Sequence, residues 1–458
     1  MGRRGPKPTD LEMARRIARA VDAQGGHTYF VGGYVRDLLM GRENKDIDIE
    51  IHGIDVAALE EILRGLGTLT EMGASFGVFG LRGFDLDIAM PRKEEATGRG
   101  HKDFKVDVDP YLGTEKAAIR RDFTMNALMQ DVITGEIVDH FGGVQDLHDG
   151  ILRHVCSETF VEDPLRVLRA AQFAARFDFT VAEETIALSR TMDLSTLASE
   201  RIMGELEKAL LKAERPSIFF REMLKMQQLS CWFPEIEQLI GIPQTPVHHP
   251  EGDVWNHTML TLDAAAGLRS QAQEPLGLML TALMHDLGKI TTTTIEPDGR
   301  IRSIGHEKQT ALVKQALGRI TNAVKLTAYV VNMTEFHMQP NILAAQHSGQ
   351  KAFNRLFDRS VCPDDLLLVA KADRMGRLDP PPYEETAALL REKLAVYKEM
   401  AARPCVMGAD LIKSGLKPGN YFSDLLAFAH NLHLSGVPKE EALRQTLAYY
   451  RDNYQQVK

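Results

Sequence analysis

Two carboxylates two residues apart, with a glycine pair and an arginine shortly upstream, set the chemistry of "YFVGGYVRDLLMGRENKDIDIEIHG", residues 29 to 53. Asp46, Asp48 and Glu50 alternate with Ile47, Ile49 and Ile51, so a strand here carries its acids on one face and sends its isoleucines to a core. Carboxylates paired in this way hold divalent cations that bridge a triphosphate and an attacking hydroxyl. One metal lowers the hydroxyl's pKa and the other neutralises charge on the leaving pyrophosphate, an in-line two-metal displacement. Gly32 and Gly33 follow an apolar strand and open a helical run from Tyr34 to Met40. Helix N-terminal amides then face a triphosphate with no Cβ in the way, and Arg36 adds a charge-assisted contact. The alternation also fits a half-exposed strand with a solvated acidic face, and the glycine pair favours nucleotidyl transfer. A second run, "DLDIAMPR", offers Asp85 or Asp87 as a third carboxylate, or is another acidic outer face.

A separate chemistry is spelled out downstream. Seven of the fifteen histidines fall between His248 and His347, and His285 stands beside Asp286 in "LMHDLGK". His257 lies upstream, and His306, His337 and Asp373 lie downstream. Neutral imidazoles and carboxylates hold one or two transition or hard cations that activate water against a phosphoester.

The elements that position these residues fall into segments. Residues 27 to 145 mix short β-rich runs ("TYFV", "DIDIEI", "FGVFGL", "FDLDIAM", "FTMNALMQDV", "GEIVDH") with glycine turns, the pattern of an α+β domain around a small sheet. From "EDPLRVLRAAQFAARF" onward apolar residues recur at helical spacing, with hardly a strand signal. "IGIPQTPVHHPEGD" and "GRLDPPPYEE" break that pattern and read as linkers. At 458 residues the chain exceeds a single core. Four segments are expected: an α+β head over 1–148, an all-α neck and body over 149–240, a helical metal-binding domain over 250–376 and a helical tail over 385–458. A net charge of −9 argues against non-specific coating of nucleic acid, while arginines gathered between Arg120 and Arg176 leave room for a local phosphate-binding surface. Cys156, Cys231, Cys362 and Cys405 have no zinc-ligand or disulfide spacing and are expected to be buried thiols. The lead "MGRRGPKPTD" precedes no apolar segment, and a cytoplasmic protein without membrane spans is expected.

The glycine pair, spacer and Asp-x-Asp strand together resemble the polymerase-β-like nucleotidyltransferase signature. "VGGYVRD", "DIDIEIHG", "FGVF", "AIRRDFTMNALMQD", "GEIVDHFGGVQDL", "LRHV" and "FVEDPLRVLRAAQFAARF" stand in the order found in bacterial-type, class II tRNA nucleotidyltransferases, the CCA-adding enzymes. The resemblance runs from about residue 28 to 215. It implies CTP- and ATP-dependent addition to the 3′ end of tRNA, with Mg2+ on Asp46 and Asp48 and with Gly33 beside the nucleotide. Asp163 and Arg166, three apart on a helix, take the role of reading the nucleotide. Cytosine and adenine both present an amino donor beside a ring-nitrogen acceptor, so an Asp acceptor with an Arg donor reads both and rejects uracil and guanine. Arg169, Arg120 and Arg121 are expected on phosphate or ribose. Many relatives carry a further arginine where this chain has Gln172, so one phosphate contact is missing or supplied elsewhere.

His257, His285, Asp286, His306, His337 and Asp373 resemble, in order, an HD-type phosphohydrolase set holding Ni2+, Mn2+, Co2+ or Mg2+. The resemblance implies hydrolysis of 2′,3′-cyclic or 2′-phosphates. "VMGADLIKSGLKPGNYFSDLLAFAHNL" resembles the segment after such units, its "LKPGN" turn meeting tRNA phosphate or capping a helix. Poly(A) polymerase is the runner-up, ahead of CC-only or A-only addition and a non-enzymatic tRNA-binding module.

Overall fold

The computed structural model describes residues 9–70, 77–96 and 104–455. Phe76 of "FGVF" and most of the basic lead lie outside them. The chain forms two compact units: one runs to Glu205 and adds Ile218–Gln228, the other comprises Leu206–Ser217 and Leu229 onward.

The first unit is built on a seven-stranded mixed sheet. Its strands are β1 (His27–Val31), β2 (Ile47–His52), β3 (Leu69–Thr70), β4 (Val78–Leu81), β5 (Leu86–Ala89), β8 (Met129–Asp131) and β9 (Ile137–Val138), in the spatial order β3-β4-β5-β2-β1-β8-β9. A separate ribbon pairs β6 (Arg92–Ala96) with β7 (Phe104–Val108). Helix α1 (Asp10–Asp22) starts on a capping box in which Thr9 and Glu12 satisfy each other's backbone N–H. Its Met13, Ile17 and Val21 recur at helical spacing and join Ile47, Ile49 and Ile51 in the core. The isoleucine face of β2 is thus buried as its alternation predicts. β2 pairs antiparallel with β1 and parallel with β5, and the second register sets Asp48 directly beside Asp87.

Within "FTMNALMQDV" only Met129–Asp131 is strand, and Thr124–Asn126 is a 3-10 turn. The ribbon β6/β7 went unpredicted because "RKEEATGRGHKDFKV" carries charge where a strand signal needs apolar alternation. Short α2 (Gly33–Leu39) follows β1 through Gly32, and α3 (Leu165–Phe177) belongs to this same unit. The two helices meet there, with Arg36 of α2 lying 5.3 and 4.7 Å from the ring centres of Phe173 and Phe177 on α3.

The second unit is helical. It includes α4 (Val254–Ala266), α5 (Pro275–Met284), α6 (Val324–Phe336), α7 (Gln350–Arg359) and α8 (Pro363–Met375). Two small strand pairs, Ile151–Leu152 with Thr180–Val181 in the first unit and Thr293–Ile295 with Ile301–Ser303 in the second, break the otherwise helical run after the sheet. "IGIPQTPVHHPEGD" is not a linker. Asp253 caps α4 through the Asn256 N–H and also accepts from Gly241 N–H at 2.7 Å, folding the segment back on the helix it precedes. "GRLDPPPYEE" loops from α8 into the next helix, with Tyr383 buried and donating to Asn341. All four cysteines are free thiols, but only Cys362 is buried and Cys231 is exposed, because the short helix Leu229–Trp232 turns it outward. Among the described residues no helix is long and apolar enough to cross a membrane.

Candidate functional site

The glycine pair and the strand it faces meet at one point. Gly32 has φ +66°, a conformation that L side chains rarely adopt, and a Cβ there would sit 3.7 Å from Asp48 Oδ2 and 3.5 Å from Arg121 Nη1. The backbone thereby passes close to both a carboxylate and a guanidinium. Asp48 and Asp87 line a cavity of about 360 Å3 together with Glu50, Arg120, Arg121 and Arg166. Asp48 holds its proton above the usual carboxylate range, because burial disfavours its charge and Asp87 repels it, with Arg121 opposing. Like charges held in register at a cavity wall fit a divalent cation. Of the two candidates for a third carboxylate, Asp87 is the one in register with Asp48 and on the cavity wall. Asp85 lies before β5, and its backbone N–H donates to Asp10.

Arg36 does not line that cavity. It is buried, donates to Asp37 at 2.7 Å and Asn126 at 2.8 Å, and is covered by the two phenylalanines of α3. Asp37 in turn accepts from the Asn44 side-chain amide at 2.8 Å, and Asn44 Oδ1 accepts from the Asp46 backbone N–H at 2.9 Å. The Val-Arg-Asp triplet is a brace that fixes the turn carrying exposed Asp46 into β2.

Glu50 is buried rather than solvated. Burial opposes its charge, but a 2.7 Å contact with His52 and the guanidinium of Arg121, at 3.5 Å, hold it as an anion below its ordinary pKa. Glu50 thus steadies Arg121 against the cavity. Arg92, which the sequence did not mark, lines the same cavity from β6.

The arginines of α3 divide. Arg166 lines the cavity and donates to the carbonyls of Arg120 and Thr159. Asp163, just before the helix, accepts from the Leu165 N–H at 3.0 Å and from Arg201 at 3.0 Å. Arg169 does not line that cavity: buried Asp122 accepts from its Nε–H at 2.7 Å, and Glu205 lies 3.9 Å from its Nη1. Gln172 is buried on the same helix.

In the second unit all six anticipated ligand residues converge. His257 is on the first turn of α4, His285 and His337 end α5 and α6, and Asp373 is in the last turn of α8. Gly288 lets the His306 turn approach, since a Cβ there would run into the His306 carbonyl. Three imidazoles donate Nδ1–H to backbone carbonyls: His285 to Ala282 at 2.8 Å, His306 to Ser303 at 2.8 Å and His337 to Thr334 at 2.7 Å. That fixes each ring's orientation and turns its Nε2 inward. His257 Nε2 lies 2.8 Å from Asp373, His306 Nε2 3.2 Å from Asp286, and His285 Nε2 3.3 Å from Asp286 and 3.5 Å from Asp373.

Burial opposes charge on His285, yet Asp286 and Asp373 push its pKa up to about 10, whereas burial and the charge of His285 push His337 down to about 4. Among the described residues the buried Nε2 atoms of His285 and His306 make no well-aligned hydrogen bond, although Asp286 lies 3.3 and 3.2 Å from them. Inward-facing nitrogens beside buried Asp286 and half-buried Asp373 are the donor set a transition metal requires.

Sequence reasoning missed the layer behind this cluster. The Nδ1–H of His257 is shared between the Gly376 carbonyl at 2.8 Å and Glu251 at 3.0 Å, Glu251 also lies 2.9 Å from Nδ1 of His249, and Lys289 bridges Asp286 at 2.8 Å to Gln244 at 2.9 Å. The signal was present as His-x-Glu inside "HHPEGD", obscured by the prolines that made the segment look like a linker.

Comparisons with known proteins bear on both clusters. Residues 28–153 match the family model described as the poly A polymerase head domain. The chain is 38% identical over 362 residues to a multifunctional CCA protein of Haemophilus ducreyi, covering 76% of this chain and 85% of that one. To a multifunctional CCA protein of an Acidovorax species it is 35% identical over 432 residues, covering 90% and 98%. A solved structure of a CCA-adding enzyme with ATP shares the fold, with a TM-score of 0.67 at 20% identity over 99% of this chain and 96% of that one. The head model's name is shared with the runner-up reading, but the relatives that extend through both units are multifunctional CCA proteins.

Proposed function

The chain belongs to the multifunctional CCA protein family, and from that premise we propose that it rebuilds the 3′-terminal CCA of tRNA from CTP and ATP without a nucleic-acid template, in the cytoplasm. The observation that carries this is the Asp48–Asp87 register pair on a cavity wall shared with Arg120, Arg121 and Arg166. Asp46, Asp48 and Asp87 hold Mg2+, which when bound activates the hydroxyl and neutralises the leaving charge. The tRNA 3′ oxygen bonds to the α-phosphorus, the bond to the β-bridging oxygen breaks, pyrophosphate leaves with the electron pair and the hydroxyl proton passes to solvent. Gly32 and Gly33 admit the triphosphate close to the backbone, while Arg120 and Arg121 take its charge. Incubation with tRNA lacking CCA, in CTP alone, ATP alone and both, tests the reading: C and A must be added in turn and then stop. Long A tracts point to a poly(A) polymerase, a single kind of addition to a split-activity enzyme, and no addition to a binding module.

Nucleotide choice falls to Arg166 at the cavity and Asp163 behind it. Arg166→Ala and Asp163→Ala are each expected to let UTP or GTP compete, with discrimination falling by about 1–3 kcal/mol per lost bidentate contact. Kinetics with all four triphosphates check this, and an unchanged preference reduces both residues to braces of α3. The tail offers a further contact, where Lys417 of the "LKPGN" turn lines a cavity of about 460 Å3 with Tyr421, Tyr450 and Arg451, suited to tRNA phosphate.

The second unit, on this reading, is a phosphohydrolase for 2′,3′-cyclic and 2′-phosphates. His257, His285, Asp286, His306, His337 and Asp373 hold a divalent metal (Ni2+, Mn2+, Co2+ or Mg2+), which when bound supplies activated water. Water adds to phosphorus, and one ester oxygen leaves and takes a proton. Glu251 orients His257 by accepting from its outer nitrogen. Glu251→Ala is therefore expected to weaken metal binding by about 10- to 100-fold, read by titration of chelator-stripped protein, with CCA addition unchanged. Wild-type affinity in that variant removes Glu251 from the ligand support.

A further inference from the structure

Beside the imidazole cluster lies a cavity of about 380 Å3, within the usual range of small-ligand pockets, ~300–1,000 Å3. Its walls are sequence neighbours of two of the ligand histidines: Lys308 follows His306 by two residues and Phe336 immediately precedes His337. Another wall is α7, which contributes Arg355 and Arg359, four apart and so on one helical face.

Arg359 stacks over Phe336, 4.7 Å from the ring centre, and pairs with Glu335 at 3.6 Å. That pair is self-neutralising. Glu307 leans toward His306, at 3.9 Å. Arg355 and Lys308 are exposed, and among the described residues neither is held in an ion pair. Two cations outside any ion pair thus line a cavity whose walls include chain neighbours of His306 and His337.

We infer that this cavity receives the phosphodiester one nucleotide upstream of an RNA 3′ end whose terminal cyclic or 2′-phosphate lies at the imidazole–carboxylate cluster. The inference rests on the phosphohydrolase reading above and narrows its substrate to RNA ends. Arg355 offers a planar donor fork that matches two phosphate oxygens, and Lys308 a point charge. A free cyclic mononucleotide has the same reacting group and no upstream phosphodiester, so it forfeits both contacts. Contacts of this kind position a substrate without reading its bases. RNA ends of any sequence are therefore accepted alike.

Steady-state hydrolysis by the full chain, loaded with the metal that supports the highest rate, tests this with 2′,3′-cyclic AMP and a short RNA ending in the same cyclic group. The wild type is expected to show a lower KM for the RNA, the advantage shrinking as salt is raised. Lys308→Gln combined with Arg355→Gln is expected to raise KM for the RNA on the order of tenfold or more, kcat being unchanged. Cyclic AMP hydrolysis and CCA addition stay at wild-type values, showing that the protein is folded. Equal KM values for the two substrates in the wild type, or an RNA KM that the double variant leaves in place, overturn the inference while the phosphohydrolase stands. A wild type that hydrolyses neither substrate overturns both.

Discussion

Asp48→Ala is expected to abolish addition of both C and A to tRNA, by on the order of a thousandfold or more, ~4 kcal/mol of transition-state stabilisation. Asp46→Ala is expected to do the same, since both additions share one pair of metal positions. Binding of tRNA lacking CCA persists, because the affinity of such complexes comes from phosphate contacts spread over the protein. The measurement is single-turnover addition with CTP and with ATP, beside a filter-binding titration of the same tRNA.

Asp48→Asn carries a second signature. The folded-state pKa of Asp48 is raised, so its ionisation works against the fold: the group costs stability as pH rises through that pKa, and nothing below the unfolded value. Near neutral pH, replacing it with a neutral isostere should leave the melting temperature at or above wild type while activity is lost. A structural carboxylate behaves oppositely. Near-normal addition by both alanine variants would remove β2 from catalysis, and a melting temperature that drops with Asp48→Asn would make Asp48 a fold-stabilising residue.

What the sequence disclosed and what it hid follow from the range of the interactions. Local periodicity is physical, so the isoleucine face of β2, the turn at Gly32 and the helical character after the sheet were all legible. The convergence of the six histidine and aspartate residues was legible as well, because imidazoles beside an aspartate have little structural use at such density. Partners distant in the chain were not. Arg36 was assigned to phosphate because an arginine on the first turn of a helix beside a glycine pair has that chemistry. Its true acceptor, Asn126, is 90 residues away, and the phenylalanines that cover it are on α3. Arg169 was likewise claimed by Asp122, 47 residues upstream. Asp85 and Asp87 could not be told apart until the parallel register of β2 and β5 placed one beside Asp48. In each instance a charged side chain has two uses, a ligand or an internal counter-ion, and only burial decides between them.

The two clusters lie in different units and share no residue, so their chemistries should separate. His285→Ala and Asp286→Ala are each expected to lose metal-dependent hydrolysis of 2′,3′-cyclic phosphate to background, with CCA addition retained, and Asp48→Ala to show the reverse. Asp286 is the more informative position. Its two oxygens meet His306 at 3.2 Å, His285 at 3.3 Å and Lys289 at 2.8 Å, and these attractions outweigh its burial and hold it anionic. Its removal strips the cluster of one of two carboxylates and strands Lys289, so unfolding is the competing explanation for lost activity. Asp286→Asn keeps the shape and the contacts of one oxygen while removing the charge, and CCA addition by the same sample reports on folding elsewhere in the chain. Lost hydrolysis in Asp286→Asn, together with reduced metal content after chelator stripping and reconstitution with nickel, cobalt, manganese or magnesium, assigns the carboxylate to the metal. If wild-type protein retains none of these metals and hydrolyses no cyclic phosphate with any of them, the histidines only knit the helices together. The phosphohydrolase is then refuted and the transferase untouched.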